Sequence, residues 1–294
     1  MTAARRGRAR MAGCVLAAGA LVATAGAASA ATQDQRAAAR AAAWLERTPV
    51  AAPGGQVADT IVALRAAGRS RASVAPRLRV LARLAPRYAT TAGGAAKVTL
   101  AAVAAGADPS RLRGRDYVRG ITSRYARGRY GATAFDQALS LLALAAARRP
   151  VPRTAIRLTL AARGEGGWGF TLSPTARDSV DATGLMIEAL RAVGVPARHA
   201  ELRAAARWMV AQRNTRGGYA SGGRGGDTQA NPTSNAIRAL RALGRPVPAG
   251  TRAELRRLQD RSGAVRFTRG RSGSALLATN DALVALTRRT LPVR

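Results

Sequence analysis

The sequence has almost none of the side chains on which disulfides, thiol chemistry and zinc sites depend. Its 294 residues include one cysteine, Cys14, and one histidine, His199. A single thiol cannot close an internal disulfide, and one imidazole without thiolates cannot build a zinc site of the usual ligand count. A single histidine also offers no convincing Ser-His-Asp arrangement. The sequence therefore predicts neither a metal nor a cofactor.

Aromatic and acidic side chains are also scarce. Aromatic residues make up 4% of the chain (3 Trp, 5 Tyr and 3 Phe), and 15 acidic residues stand against 48 basic ones, a formal net charge of +33. This surplus attracts anionic polymers such as wall polymers, acidic lipid or nucleic acid. An arginine-rich genome composition would explain the surplus equally well. No nucleic-acid-binding motif accompanies the arginines, so no specific nucleic-acid partner is expected.

The N-terminus predicts export from the cytoplasm. Arg5, Arg6, Arg8 and Arg10 precede an uncharged run from Met11 to Ala25, and Ala28-Ser29-Ala30 follows. This order is typical of a secretory signal peptide over residues 1–30, cleaved after Ala30 and taking Cys14 with it. An uncleaved anchor is the alternative, and the Arg5-Arg6 pair leaves twin-arginine export open. No later apolar run is long enough to span a bilayer. Cleavage would leave 44 basic and 15 acidic residues, a net charge of +29.

One helix ending recurs along the rest of the chain. It reads Ala-Leu-Arg-Ala-x-Gly at Ala63–Gly68, Ala189–Gly194 and Ala239–Gly244, and weaker copies place the second apolar residue at 64, 103, 144, 190, 240 and 286. Intervals of 39 to 50 residues, with Gly after each of these three apolar turns and Pro in the connectors, indicate an array of helical hairpins. No stretch shows the sustained alternation of apolar and polar residues that would predict a strand, so the fold is expected to be all-α.

The repeat divides residues 31–294 into six expected units. Their approximate limits are 37–68, 74–106, 115–148, 153–194, 199–244 and 251–289. Each unit is interpreted as two helices joined by a Gly-rich turn, and the turns are placed at Pro53-Gly54-Gly55, Gly93-Gly94, Gly166–Gly169 and Gly217–Tyr219. Thr183, Thr233 and Thr279 share a register in the second helix of their units, which supports the repeat rather than a chemistry.

The last three units carry a more specific motif, and the copy in the sixth unit, Leu255 through Gln259 with Gly263, is the weakest. Glu165-Gly166-Gly167-Trp168-Gly169-Phe170, followed by Asp178–Thr183 and an Ala-Leu helix, resembles the prenyltransferase/squalene cyclase repeat, and Trp208–Gln212 with Gly217–Tyr219 is similar to the same module. The resemblance covers the mature chain in period and only the last three units in motif detail. It implies an α/α toroid, with six inner and six outer helices around a central cavity.

The family includes class II terpene cyclases, zinc protein prenyltransferases and corrinoid carriers. The scarcity of ligands argues against the zinc enzymes. Corrinoid carriage stays a third possibility, although no C-terminal partner domain of the carrier type is expected after the sixth unit.

The resemblance also implies a role for one acid. Class II cyclases protonate an alkene with the middle carboxylic acid of an Asp-x-Asp-Asp run, and the corresponding residue in Ser179–Ala182 is Asp181. The carboxyls that would hold its proton are missing, although Asp178 could substitute from the preceding turn. The favoured alternative is that Asp181 caps its helix, where a negative charge is stabilised.

A second group of residues is expected at the central cavity. Glu188 and Arg238 fall two residues before the repeat marker in successive units, which predicts that they meet across the inner ring. Asp181 and Glu188 are seven residues apart and share a helix face. Such a lumen is more polar than a hydrocarbon pocket, and few aromatics remain to stabilise carbocations. The full set of cavity residues is Trp168, Phe170, Thr183, Glu188, Thr233, Asn235, Arg238 and Asp281.

These features lead to one functional hypothesis and one alternative. The leading hypothesis is a secreted, monomeric toroid that binds a small ligand, either isoprenoid or anionic, or a cell-wall component, without catalysis. The six N-termini of the inner helices at one rim favour an anionic guest there. The alternative is a class II terpene-cyclase-like enzyme with Asp181 as the proton donor. A purely structural role is also left open.

Overall fold

A computed structural model describes residues 32–50 and 53–293. The predicted signal peptide, with Cys14, lies outside these residues. Twelve helices occur in the described part, where the remaining regular pairing is confined to isolated β-bridges. They are α1 (32–47), α2 (Gly54–Ala66), α3 (Arg71–Tyr88), α4 (Ala92–Ala104), α5 (Tyr117–Thr122), α6 (Ala134–Ala146), α7 (Arg153–Ala161), α8 (Val180–Ala192), α9 (Ala200–Ala211), α10 (Ala230–Ala242), α11 (Thr251–Arg257) and α12 (Ala275–Leu286).

The even-numbered helices form a closed inner ring. Each of α2, α4, α6, α8 and α10 packs against the next even-numbered helix, and α12 packs back against α2. The odd-numbered helices form the outer ring; α3, for example, contacts α2 and α4. This arrangement is the all-α, six-hairpin toroid that the sequence predicts. Within residues 32–50 and 53–293, no helix is both long enough and apolar enough to cross a membrane.

The repeated motif ends the inner helices with one pattern of backbone hydrogen bonds. In α2 the amide of Arg69 donates to Leu64 and the amide of Gly68 donates to Arg65, the paired bonds of a Schellman ending. Gly68 adopts a φ of +78°, which glycine reaches without strain. In α4 the corresponding acceptor is Ala102, one residue before the predicted marker at 103.

Two of the predicted glycine turns are wrong. Gly54-Gly55 and Gly93-Gly94 form the first turns of α2 and α4 rather than connectors. The Tyr88 ring covers both glycines of α2, where a Cβ would come within 2.8 Å and 2.5 Å of it. The glycines therefore admit a close neighbour at the start of a helix.

The shared threonine register has a structural explanation. The Thr183 hydroxyl accepts a hydrogen bond from the amide of Trp168 at 2.8 Å, and Thr233 accepts from Tyr219 at 3.1 Å. Gln137 does the same for Tyr130 at 2.9 Å. Each of these side chains fastens an inner helix to the turn before it.

The first and last units close the outer ring. Asp34 of α1 is buried and pairs with Arg252, Arg256 and Arg288 from α11 and the end of α12. Gln259 donates to the Ala37 carbonyl at 2.9 Å. The N-terminal helix therefore completes the toroid.

One glycine lies where the first and last units meet. Gly263 has a φ of +100°, and a Cβ there would come within 2.4 Å of the Arg40 carbonyl oxygen. We expect Gly263→Ala to lower the free energy of unfolding by about 1–3 kcal/mol from backbone strain alone. Urea unfolding of this variant should be compared with Gly270→Ala, whose Cβ would meet open space. Equal midpoints for the two variants would contradict this view of the closure.

Candidate ligand site inside the inner ring

Helical spacing brings one side chain per turn toward the axis of the ring. On α8 these are Asp181, Leu185 and Glu188, and on α10 they are Asn231, Asn235 and Arg238, at spacings of four and three residues that keep them on one helix face. Contacts between these helices confirm that the two faces meet. The levels run from the N-terminal end of these helices, which we call the mouth, to the C-terminal end.

The C-terminal level forms a closed floor. Glu188 is 0% and Arg238 2% exposed, and the Arg238 Nε donates to the Glu188 carboxylate at 3.0 Å, so the predicted meeting of these two residues is confirmed. The amide of Leu291, in the segment after α12, donates to the other Glu188 oxygen at 2.9 Å. Both residues therefore lie in the floor and not on the wall of an open channel. This buried level closes the ring interior at its C-terminal end, and we call the interior above it, between the inward faces of the even-numbered helices, the cup.

The middle level is polar on one side. Lys97 of α4 pairs with Asp59 of α2 at 2.6 Å, and Asp281 of α12 accepts from Arg238 at 3.3 Å and from Asn231 at 2.6 Å. Burial lowers the pKa of Arg238, but Glu188 and Asp281 outweigh it and raise the pKa overall. The guanidinium therefore remains charged among its carboxylates.

The middle level is apolar on the other side. Leu139 of α6 and Leu185 of α8 occupy it, and Phe135 lies one turn nearer the mouth. Asp59, Lys97 and Asp281 keep 23–27% of their side-chain surface exposed. Side chains of a filled core would be buried. Their exposure indicates space inside the cup that solvent reaches.

Asp181 stands at the mouth with both carboxyl oxygens engaged. Asn235 Nδ2 lies 2.8 Å from Oδ1, and Ser221 Oγ, from the loop before α10, lies 2.8 Å from Oδ2. The Asn235 amide is oriented by Arg238, which donates to its oxygen at 2.6 Å. The carboxyl is therefore held by two neutral groups from the next unit.

The Ser221 hydroxyl lies between two acceptor oxygens. Its hydroxyl lies 2.8 Å from Asp181 Oδ2 and 3.0 Å from Gln229 Oε1, and the same Gln229 oxygen accepts from the Ser221 amide at 3.1 Å. One hydroxyl proton can serve only one of two acceptors. A neutral Asp181, donating from Oδ2 to Ser221 while Ser221 donates to Gln229, satisfies both contacts. An ionised Asp181 satisfies one.

Burial raises the pKa of Asp181, against the hydrogen bonds from Ser221 and Asn235, which lower it. The folded chain thus holds this proton more tightly than the unfolded chain does. The resulting stabilisation is complete below the ordinary pKa of 3.8 and is lost as pH rises through the raised pKa of the folded chain.

Asp181→Asn should therefore gain stability relative to the native chain as pH rises from about 4 to 8. Asparagine keeps the geometry of the neutral acid and cannot ionise. Urea unfolding of both chains across this range measures the difference. Parallel stability curves would show that Asp181 titrates as it does in the unfolded chain.

Asp181 lies in the first turn of α8, where a negative charge is stabilised, but it is not the N-cap residue. Ser179 is the N-cap of α8, and its hydroxyl accepts from the amide of Ala182 at 3.5 Å. Asp178 lies in the preceding turn, where one oxygen accepts from the Gly166 amide at 2.9 Å. Asp178 therefore organises the glycine turn, and the contacts of Asp181 are with Ser221 and Asn235.

Several predicted cavity residues lie in the wall. Trp168, Thr183 and Thr233 are buried, and the indole of Trp168 donates to the Thr159 carbonyl at 2.8 Å. They pack outer helices and turns against inner helices and do not line the cup. Phe170 is 57% exposed and its ring stacks on Phe135, with centroids 5.6 Å apart. Asn235 and Asp281 face the interior as expected.

Sequence reasoning missed several residues of the site. Asp59 and Lys97 lie in units that lack the glycine-tryptophan motif, and Phe135 lies in the unit where Gln137 replaces the threonine. Asp59 lies two residues after, and Phe135 two residues before, the position that Thr183 occupies in its own unit. Both could have been found by counting from that position. Ser221 comes from a glycine-rich loop, and no pattern in the sequence indicates its contact.

The described residues contain no group of three or more His, Cys, Asp or Glu side chains placed to hold a metal ion. His199 is the N-cap of α9 and accepts from the amide of Glu201 at 3.3 Å. The acids of the cup are paired with cations or amides.

Comparison with solved structures identifies this architecture. A variant of the type II terpene cyclase MstE from Scytonema, in complex with the substrate geranylgeranyl dihydroxybenzoate, matches with a TM-score of 0.61 at 16% identity, over 88% of this chain and 98% of that one. The apo enzyme gives 0.60 at 17% identity, over 87% and 98%. A protein from Actinoplanes gives 0.56 at 17% identity, over 87% and 99%.

No protein-family model matches the sequence, and no curated protein matches it. At these identities the likeness establishes the fold. The chain has the terpenoid cyclase-like α/α toroid that the glycine-tryptophan motif implies.

Proposed function

We propose that this protein binds a small amphiphilic ligand in the cup of the inner ring, without transforming it, outside the cytoplasm. One observation carries the proposal: at its middle level the cup is apolar on the α6 and α8 side and polar on the α2, α4, α10 and α12 side. A ligand with a hydrocarbon chain and a hydrogen-bonding head would match both surfaces. The signal-like sequence at residues 1–30 supports the extracytoplasmic location.

The chemistry of the cup favours binding over carbocation cyclisation. A cyclase pocket stabilises its cations with aromatic faces. Phe135 is the aromatic ring on the inward stripe of α6, whereas Asp59 and Asp281 place carboxylates at the middle level, where they would capture a cation or take its proton. Both carboxyl oxygens of Asp181 are already engaged, by Asn235 and by Ser221.

Cyclisation of an isoprenoid is the second candidate function. It is favoured by Asp181, whose raised pKa and position suit an acid, and by the fold shared with MstE, which has been solved with geranylgeranyl dihydroxybenzoate as substrate and merosterolic acid A as product. In that reaction Asp181 would transfer its proton to an alkene carbon, leaving a carboxylate and a tertiary cation. Loss of a proton from the cyclised cation would restore the acid.

Untargeted mass spectrometry of the molecules that co-purify with the chain tests the proposal. Leu277 occupies in α12 the repeat position that Asp181 occupies in α8 and Asn231 in α10, and its side chain is 36% exposed. We expect one amphiphile to be enriched with the native chain and depleted with Leu277→Trp. Leu84→Trp on α3, at a leucine 37% exposed on the outer ring, is the matched control. Equal recovery from both variants would contradict binding in the cup.

Incubation with geranylgeranyl dihydroxybenzoate separates the two candidates. We expect the compound to be recovered unchanged by liquid chromatography and mass spectrometry. A cyclised product formed by the native chain and absent with Asp181→Asn would establish the enzyme and overturn the non-catalytic proposal.

A further inference from the structure

A wide cleft lies at the end of the ring opposite the mouth. It has a volume of about 1410 Å³ and is bounded by the C-terminal ends of α2, α8, α10 and α12 and by the segment that follows α12. The contact between Leu291 and Glu188 places this segment between the cleft and the cup. The cleft is therefore a separate site, on the far side of the buried floor.

The charge of this cleft has one sign. Its lining contains no acidic residue, and it contains six arginines: Arg65, Arg241, Arg245, Arg252, Arg288 and Arg289. Guanidinium groups bind phosphate through paired, charge-assisted hydrogen bonds. A cluster of this size, in a concave surface, focuses positive potential beyond what scattered surface arginines produce.

Three of the arginines are occupied by the fold. Arg65 donates from Nε to the Ala104 carbonyl at 2.8 Å, at the end of α4, and Arg252 and Arg288 lie within 4 Å of Asp34. Arg191 donates to Ala242 at 3.0 Å in the same way as Arg65. At this register the repeat uses arginine to satisfy the last carbonyl of a neighbouring helix.

The other three are available to a ligand. Arg241 occupies the register of Arg65 and Arg191, but its side chain is exposed, and within residues 32–50 and 53–293 no ion pair or side-chain hydrogen bond engages it. Arg289 is also exposed and Arg245 is half-buried, and neither side chain has an ion pair or hydrogen bond in the described part. The repeat thus departs from its structural use of arginine where α10 borders the cleft.

The positively charged side chains of the cleft also repel one another. Burial lowers the pKa of Arg252, against Asp34, and Arg288 and Arg241 lower it further. The Nε of Arg252 is buried without a hydrogen-bond partner in the described part of the chain. A bound anion would offset this repulsion and give the buried donor an acceptor.

The cleft also has an apolar side. Pro246 and Val247, from the connector after α10, and Pro292 and Val293, from the last segment, line it with the arginines. An organic group attached to the anion would find apolar surface beside the guanidinium groups.

We propose that this arginine cleft is a binding site for a phosphate or diphosphate group, held by Arg241, Arg245 and Arg289. Arg252 contributes a further donor from the base of the cleft. The phosphate belongs either to a small soluble anion or to a lipid head group. This site is independent of the ligand in the cup.

The experiment must distinguish phosphate binding in the cleft from the general attraction of anions to a basic protein. R241A/R245A/R289A removes three charges from the cleft, and R79A/R83A/R87A removes three exposed charges from the outer helix α3. Both variants have the same net charge. Calorimetry with inorganic pyrophosphate and co-sedimentation with phosphatidylcholine vesicles, with and without phosphatidylglycerol, are carried out at physiological ionic strength, where diffuse attraction is screened.

We expect the cleft variant to bind about tenfold more weakly or worse, and the α3 variant to change less than about twofold. Stoichiometric pyrophosphate binding with this pattern identifies a soluble phosphate ligand, and the same pattern with phosphatidylglycerol vesicles alone identifies a lipid-borne one. Circular dichroism confirms that both variants fold. Equal weakening of the two variants, or no binding of either probe by the native chain, would overturn the proposal.

Discussion

Replacing Arg238 with alanine is expected to lower the free energy of unfolding by about 3–5 kcal/mol. Arg238 is 2% exposed and binds Glu188, Asp281 and the side chain of Asn235, so its loss leaves a buried carboxylate without its cation. Removing one partner of a buried ion pair carries the desolvation cost of the other. Urea unfolding at neutral pH measures the change.

Two comparisons make the Arg238 result specific. Arg69→Ala removes a half-exposed partner of Glu46, and we expect it to cost less than about 1 kcal/mol. Glu188→Leu combined with Arg238→Met should be less destabilised than the sum of the single variants, because neither charge is then left alone. A cost for Arg238→Ala no larger than that for Arg69→Ala would contradict the closed polar floor.

Trp168→Ala is expected to cost about 3–5 kcal/mol, as large-to-small changes of buried aromatic residues do. The indole fills the wall between α7 and α8 and is 1% exposed. Trp168→Phe keeps most of the volume and loses the hydrogen bond to Thr159, at about 1 kcal/mol. Denaturant midpoints of the two variants separate the packing contribution from the hydrogen bond.

Phe170→Ala is the matched control within the same motif. Phe170 is exposed and loses only its stacking on Phe135, so we expect a cost of about 1 kcal/mol or less. If Phe170→Ala destabilised the chain as much as Trp168→Ala, the assignment of Trp168 to the wall and Phe170 to the rim would be wrong.

The repeat could be predicted because several units end their inner helix in the same way. The Ala-Leu-Arg-Ala endings require a residue of positive φ after the last turn, and Gly68, Gly194 and Gly244 supply it. The sequence also predicted that Glu188 contacts Arg238, because residues at the same repeat position in adjacent inner helices lie at the same height in a closed ring. The units without this motif were harder: Arg148 and Arg288 take the positive φ in place of glycine.

The site was less predictable than the fold because its contacts cross units. Asp181 was identified by resemblance, but its partners Ser221 and Asn235 are 40 and 54 residues away. The anionic guest expected at the N-terminal rim is also not what the side chains there favour. Carboxyl groups of Asp59, Asp181 and Asp281 lie at or below that rim, and the arginines cluster at the opposite face.

Titration of geranylgeraniol, followed by native mass spectrometry, tests the central claim most directly. This alcohol has the hydrocarbon chain and the hydroxyl head that the two sides of the cup would hold. The native chain and Leu84→Trp are expected to form a 1:1 complex, with affinity about tenfold lower or worse in Leu277→Trp. Identical binding by the two tryptophan variants, or no complex with the native chain, would contradict a ligand-binding cup inside the ring.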